Sequence, residues 1–598
     1  MNNKNATQIR SRISRTRNIL RKSNLQGFIQ PRSDSYLGEY IPKSSARLEW
    51  LTGFSGSAGE FLLTQNKTLL FVDSRYTLQA TKQTKNTGIT ILLITEISLI
   101  QWLRSNMKKK LSIGFHNWLY SISKINQLQN LSKSLPISFK PLKKNPIDLI
   151  WETKPAKPSS LITPHPIKYS GLSSKEKIIN LCKKIKEIKA DAFLICKADT
   201  LAWLLNIRGR DLSCTPIILA RALVLSNGAV LMFLNKSKLD KRSKLYLKNS
   251  VKNIKFYEET ELFDTLSNFT NKNIWIDPSI TPYAIKHNSK AKTPAFIAKT
   301  CPLELPKSIK NKTEIKGAIE AHKKDGVALC KFLFWINTSN EKITEFSASI
   351  KIDSLRALQT NYICKSFDTI SGFGRNGAII HYKVDKKSNL EFKKDNLYLV
   401  DSGGQYLEGT TDVTRTLAIG NPSKEMIKYF STVLKAHISL AKIIFPYGTT
   451  GNELDIIARK ELWSQNMDYG HGTGHGVGSC LSVHEGPQSI TKGSKIILEP
   501  GMIVSNEPGF YLKNKFGIRI ENLMIVQKHK VNNFNNKDML EFKTLTLAPI
   551  DLKLIDYSML NKEEIEWLNK YNLAVYQNIS PKLSLKEKNW LKIQCKKI

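Results

Sequence analysis

Four acidic residues, Asp401, Asp412, Glu507 and Glu521, restrict the fold of this chain more than any other feature. Each stands at or beside a short strand-like run: Leu397-Tyr-Leu-Val-Asp401-Ser-Gly-Gly, Thr410-Thr-Asp412-Val-Thr-Arg-Thr, Ile503-Val-Ser-Asn-Glu507-Pro-Gly and Phe516-Gly-Ile-Arg-Ile-Glu521-Asn. A turn between Gly404 and Gly409 makes the first two runs adjacent antiparallel strands, so the two aspartates can face one another. Singly these residues are ordinary: an Asp at a strand end often caps a turn, and a lone Glu there is usually at the surface. Together they carry −4, and carboxylates gathered without counterions repel and take up protons.

Two divalent cations make such a set neutral, with one imidazole completing it. Oxygen-rich ligation with a single His suits Mn²⁺, Co²⁺ or Zn²⁺, and no thiolate is offered. Two metals roughly 3.5–4 Å apart can share a hydroxide and clamp a tetrahedral intermediate. The imidazoles lie in His471-Gly-Thr-Gly-His475-Gly-Val-Gly and Val483-His484-Glu-Gly-Pro. The spacing of His471 and His475 imitates the zinc helix H-E-x-x-H, but no Glu follows His471, and Gly472, Gly474, Gly476 and Gly478 would not sustain a helix. No G-x-G-x-x-G leads into a helix here, so a phosphate loop is set aside as well. What remains is a glycine-lined backbone that lets something approach three histidines closely.

Charge is the unusual element of the composition. The 598 residues hold 91 Lys+Arg against 50 Asp+Glu, a net +41. That total invites a nucleic-acid or anionic-surface reading, or equally a chain simply rich in lysine. Its distribution separates the two: residues 401–550 hold 16 Lys+Arg and 14 Asp+Glu, so they carry only +2. The surplus is diffuse elsewhere, whereas a nucleic-acid footprint is a stripe or cluster, so no nucleic-acid partner is expected. The first 33 residues hold eight basic side chains and no acid. They read either as a targeting or binding arm, or as the solvated face of a first helix carrying Ile9, Ile13 and Leu20. No run of about 18 apolar residues predicts a membrane span. The eight cysteines form no C-x-x-C pair and read as reduced thiols of a cytoplasmic protein.

The length suggests about three to five domains. Proline- and lysine-rich stretches, Pro141–Pro166 and Pro282–Pro306, divide the chain into 1–165, 166–307 and 308–598. The first two pieces share a weak repeat, L-x-W-L-x-x-[FI]-x-G, at Leu48–Gly56 and Leu201–Gly209. A strand, polar turn and strand follow each copy, so two related α/β domains are expected. The third piece opens with a helix over Ile315–Trp335; strand and turn chemistry is expected from there to about Pro549, followed by a charged helical tail.

The series Asp401, Asp412, His475, Glu507 and Glu521, set in H-G-T-G-H-G, N-E-P-G and G-I-R-I-E-N, resembles the "pita-bread" metallopeptidases. Asn376-Gly-Ala-Ile-Ile-His381-Tyr, Gly409-Thr-Thr-Asp-Val-Thr-Arg-Thr, Val483-His-Glu-Gly-Pro, Thr52-Gly-Phe-Ser-Gly-Ser-Ala-Gly and Asp73-Ser-Arg-Tyr narrow the resemblance to the three-domain Xaa-Pro aminopeptidases, across nearly the whole chain. It implies an α/β (α+β) chain: two creatinase-like domains before a pita-bread catalytic domain. It implies two metal ions, usually Mn²⁺, with Asp401 on one, His475 and Glu507 on the other, and Asp412 and Glu521 bridging. It implies His381 and His484 as catalytic-pocket histidines, His471 as a substrate-pocket histidine, Glu507 managing the proton, and Arg519 orienting the bridging carboxylates. His471 also reads as a packed strand-end histidine, and Arg519 as an ordinary strand ion pair. Gly372-Phe-Gly-Arg375 departs from the expected small polar residues.

The activity so implied is release of an N-terminal residue from peptides with proline second, by a homodimer. Prolidase and methionine aminopeptidase are the near rivals, and two N-terminal domains argue against the second. A non-catalytic binding protein is the rival from another class, and the complete ligand set argues against it.

Overall fold

The computed structural model describes residues 3–107, 110–287, 294–386, 388–530 and 538–598. The chain divides into two compact units. The first is Met1–His165 with Leu172–Leu212 and Ile217–Leu303; the second is Glu304–Ile598 with the short segments Pro166–Gly171 and Ser213–Pro216.

The internal repeat is visible in the first unit as two six-stranded sheets of identical topology. In one, Gly27–Pro31 pairs antiparallel with Glu60–Thr64, which pairs antiparallel with Thr68–Val72, which runs parallel to Thr90–Leu93. On its other side Gly27–Pro31 runs parallel to Leu111–His116, and that strand parallel to Ile137–Leu142. In the other, Ala192–Ile195, Arg221–Leu225, Val230–Phe233, Ile254–Tyr257, Asn273–Ile276 and Ala295–Ala298 take the same places in the same senses. The L-x-W-L motif is the short helix after each central strand, Arg47–Thr52 and Ala198–Leu204. Its leucines, Leu48, Leu51, Leu201 and Leu204, are at most 1% exposed. A left-handed residue follows at the same position of each motif, Gly53 at φ +76° directly after the first helix and Asn206 at φ +48° one residue beyond Leu205 in the second, the two residue types that reach that region most easily.

The basic N-terminus is a helix, Asn3–Lys22. Ile9, Ile13 and Leu20 are buried, Arg10, Arg15, Arg21 and Lys22 exposed, and the Arg12 guanidinium lies 4.4 Å from the Trp50 ring centroid. That is the solvated-face reading. All eight cysteines are free thiols. Among the described residues no helix is long and apolar enough to cross a membrane.

In the second unit the long helix Lys312–Thr338 is capped by Asn311, whose side chain accepts from the backbone of Thr313 and Glu314. A three-stranded antiparallel sheet has Asn396–Ser402 between Ile370–Phe373 and Val413–Ile419. A six-stranded sheet runs in the order Ile444–Pro446, Met539–Thr544, Asn522–Lys528, Ile503–Asn506, Gly474–Gly476, Glu485–Ile490. The stretch expected to be only strand and turn up to Pro549 also contains helices at Glu345–Ala357, Lys424–Ala441 and Gly451–Trp463. Their starts are set by caps: Thr344 accepts from Ser347, Ser423 from Met426, and Thr450 and Glu453 form a capping box. Phe430, Val433, Leu434 and Ile438 then make the apolar stripe that seats Lys424–Ala441 in the core. The charged tail is helical as expected, at Lys562–Ile579 and Leu585–Gln594.

Candidate metal centre

The sheet geometry brings the strand-end acids of the second unit together. Asp401 is the penultimate residue of Asn396–Ser402 and pairs in register with Thr414 of Val413–Ile419; Asp412 immediately precedes that second strand. Glu507 follows Ile503–Asn506, and its N–H donates to the Thr473 carbonyl at 2.8 Å, beside the strand that carries His475. Glu521 lies between Phe516–Arg519 and Asn522–Lys528, and its N–H donates to the Thr414 carbonyl at 3.1 Å, which ties it to the Asp401–Asp412 hairpin. The glycine-flanked His475 is the centre of a short strand, not a helix.

Ligand atoms of Asp412, His475 and Glu521 lie within 4.8 Å of one another. His475 Nε2 is 3.5 Å from both Asp412 Oδ2 and Glu507 Oε1. Its Nδ1 lies 2.9 Å from the Gly476 carbonyl, which only accepts, so Nδ1 carries hydrogen and Nε2 faces the carboxylates. A proton or a metal ion must then sit between that nitrogen and the acids.

The acids of the set respond to one another. Burial pushes the Asp401 carboxyl up to about 7, with Asp412 and Glu507 adding to the rise and Arg519 opposing it. Burial raises Glu507 despite His475 and Arg519, and raises Glu521 well above the usual carboxylate range with Asp412, Glu507 and Asp401 adding to it. Burial alone would lower the His475 imidazole; Asp412 and Glu507 carry it up to about 9 instead. Asp401 Oδ1 and Asp412 Oδ1 are buried without a hydrogen-bond partner. An oxygen-rich donor set with one imidazole and two such open carboxylate oxygens fits divalent cations.

Arg519, 1% exposed, donates from Nη2 to Asp401 Oδ2 at 2.6 Å, from Nη1 to the Tyr511 hydroxyl at 2.7 Å and from Nε to Thr414 Oγ1 at 3.2 Å. Its direct carboxylate partner is thus Asp401; it meets Glu521 through Thr414, which donates to Glu521 Oε2 at 2.8 Å. His471 Nε2 is 2.8 Å from the Tyr511 hydroxyl, and its ring packs against Tyr469. The half-buried His484 ring lies edge to face on His475, centroids 4.3 Å apart. The half-buried His381 follows Ile380, whose carbonyl accepts Arg519 Nη2 at 3.4 Å. Asn376 is buried on Glu345 Oε1 and Oε2 at 3.0 Å each, while Arg375 points to solvent. Sequence reasoning passed over Thr414, Tyr511 and Ser505, whose hydroxyl donates to Glu507 Oε1 at 3.1 Å. Thr414 and Ser505 lie inside motifs read only for their charged members.

This arrangement, a largely buried carboxylate–imidazole set carried by two antiparallel sheets, is that of a metallohydrolase. Residues 316–528 match metallopeptidase family M24 and residues 538–598 its C-terminal region. Residues 12–145 and 153–314 each match the creatinase/prolidase N-terminal domain. Xaa-Pro aminopeptidase 1 of Dictyostelium discoideum is 38% identical over 613 residues, 98% of this chain and 96% of that protein. The crystal structure of X-prolyl aminopeptidase from Caenorhabditis elegans, described as a cytosolic enzyme with a di-nuclear active site, superposes with TM-score 0.94 at 32% identity, covering 98% of this chain and 99% of that one. The prolidase from Pyrococcus horikoshii, 22% identical, shares the fold over 63% of this chain with TM-score 0.51. The chain belongs to metallopeptidase family M24, in its Xaa-Pro aminopeptidase branch with two creatinase-type N-terminal domains.

Proposed function

We propose that this chain hydrolyses the bond between an N-terminal residue and a proline in second position. The observation that carries the reading is the convergence of buried Asp401, Asp412 and Glu521 with half-buried His475 and Glu507, in a chain that matches Xaa-Pro aminopeptidase 1 of Dictyostelium discoideum from end to end. Asp401 would hold one metal ion, His475 and Glu507 a second, and Asp412 and Glu521 both; Mn²⁺ is the ion proposed, with Co²⁺ and Zn²⁺ as alternatives. When bound, two such ions polarise the scissile carbonyl and make water a competent nucleophile at neutral pH.

The chain's own residues do the rest. Glu507, with Oε1 held by Ser505, takes the proton of the attacking water and delivers it to the proline nitrogen, which cannot leave unprotonated. His381 and His484 present ring N–H groups to the substrate and to the oxygen on which charge develops. His471, steadied by Tyr511, lines the substrate pocket. Arg519 orients Asp401 directly and Glu521 through Thr414. Domains at 1–165, 166–307 and 308–598, a cytoplasmic location and a homodimer complete the proposal.

The test is a peptidase assay after chelation, with and without added Mn²⁺, on Xaa-Pro-Yaa tripeptides beside Xaa-Pro dipeptides. Metal-dependent cleavage of the tripeptide is expected. Cleavage of the dipeptide alone would make the chain a prolidase and end the proposal.

A further inference from the structure

Lys307, Lys310 and Glu485 form a buried charged clasp within the second unit, with side chains 0%, 1% and 0% exposed. Lys307 Nζ is 3.2 Å from Glu485 Oε2 and 3.9 Å from Glu304 Oε2, and Lys310 Nζ pairs with Glu485 Oε1. Two ammonium groups thus alternate with two carboxylates, and the cluster is neutral. A buried set of this kind is weak support for stability, because desolvating the charges offsets most of what their pairing returns.

Its place in the fold assigns it another task. Glu485 begins the strand Glu485–Ile490, pairs in register with Gly476, and directly follows His484. A Cβ on Gly478 would lie 3.1 Å from Glu485 Oε2, and one on Gly476 would overlap the Glu485 carbonyl oxygen. The two glycines after His475 therefore leave room for Glu485 to lie against the backbone that carries His475. The other end of the loop is also fixed: Gln405 Nε2 donates to the Leu481 carbonyl at 2.7 Å, and the Leu481 N–H to Thr410 Oγ1 at 3.3 Å. Only Ser482, Val483 and His484 lie between these anchors, and the His484 ring sits 4.3 Å from that of His475.

We propose that Lys307 and Lys310 are positioning residues: by clamping Glu485 they hold His484 beside His475 in the pose that serves the reaction. The proposal rests on the role given to His484 above. Displacing a group by about 1 Å can cost on the order of 100-fold in turnover, and losing a contact realised in the transition state lowers kcat more than it raises KM.

The experiment measures steady-state kinetics of the metal-loaded protein on an Xaa-Pro-Yaa tripeptide, per folded and metal-loaded molecule. Lys310→Met is expected to lower kcat by about 10-fold or more with KM changed less than about threefold, metal content unaltered, and Lys310→Arg recovering most of the loss. If kcat stays within about threefold of the parent, or falls only in proportion to folded or metal-loaded protein, the proposal is overturned. Should Lys310→Met not fold, Glu485→Gln keeps the shape, removes the charge and is judged by the same limits. His484→Ala separates the two readings. Parental turnover in that variant sinks the role of His484 itself. A large loss there, with none in the clasp variants, sinks only the clasp.

Discussion

Thr414 offers a decisive test of the centre, because one hydroxyl serves both a proposed ligand and the arginine beside it. Its Oγ1 donates to Glu521 Oε2 at 2.8 Å and accepts from Arg519 Nε at 3.2 Å, in a residue 0% exposed. Thr414→Val replaces that hydroxyl with a methyl of nearly the same volume, so packing is kept and the hydrogen bonds are lost. A hydrogen bond to a charged group contributes about 1.5–3 kcal/mol. If that loss falls on the site, affinity drops about 10–100-fold, the range seen when partners of metal ligands are removed. The assay is titration of chelated protein with Mn²⁺, followed by calorimetry as well as by turnover. Binding is expected to weaken by that factor, with turnover regained at saturating metal. An affinity within about twofold of the parent would refute the reasoning, since the Thr414–Glu521 bond would then do nothing for the ligand it touches.

Further outcomes follow from the same geometry. Asp412→Ala is expected to abolish turnover and reduce bound metal by elemental analysis, since Asp412 touches His475 and groups with Glu521; retained turnover would end the two-metal assignment. Gly474→Ala places a Cβ on top of the Ser505 carbonyl oxygen, so the strand carrying His475 must shift from its neighbour. A lower melting temperature and loss of metal binding are expected, and unchanged values would show that the strands yield freely. Leu434→Ala, at 0% exposure, should cost about 2–5 kcal/mol in denaturant unfolding, whereas Leu585→Ala, at 74% exposure, should stay within about 0.5 kcal/mol. Comparable losses at both sites would overturn the burial argument.

The proposed ligands stand out in the sequence because the residue type suited to the chemistry is also the one that makes the pattern: an Asp, Glu or His at a strand end is its own signal. The two N-terminal domains were legible for a similar reason, since the L-x-W-L motif recurs as a short helix, with left-handed Gly53 and Asn206 at the same motif position. Thr414 was not, because its meaning lies in a bond to Glu521, 107 residues away, and a buried threonine on a strand looks like any other β-branched core residue. Tyr511 was hidden in the same way; only the fold places its hydroxyl between His471 and Arg519. The helices Lys424–Ala441 and Gly451–Trp463 lie between strands whose motifs drew the reading toward strand and turn, although their caps at Ser423 and Thr450 were local signals open to notice.

The uneven charge of the chain bears on the same site. A lysine on the surface of the first unit is solvated and costs little wherever it falls. Near a buried set of carboxylates a free ammonium would compete for the negative charge that is to hold metal ions. The two buried arginines beside the carboxylates are accordingly tied down. Arg519 is engaged by Asp401, Tyr511 and Thr414, and Arg415 by the carbonyls of Thr414, Glu521, Ala548 and Pro549, the side-chain oxygen of Asn522 and the hydroxyl of Tyr571. Lys307 and Lys310, which precede the near-neutral block in sequence, are bound to Glu485 within it. Most lysines of the block, Lys424, Lys428, Lys492, Lys495, Lys513 and Lys515 among them, lie exposed instead, and residues 401–550 carry only +2 in a chain of +41.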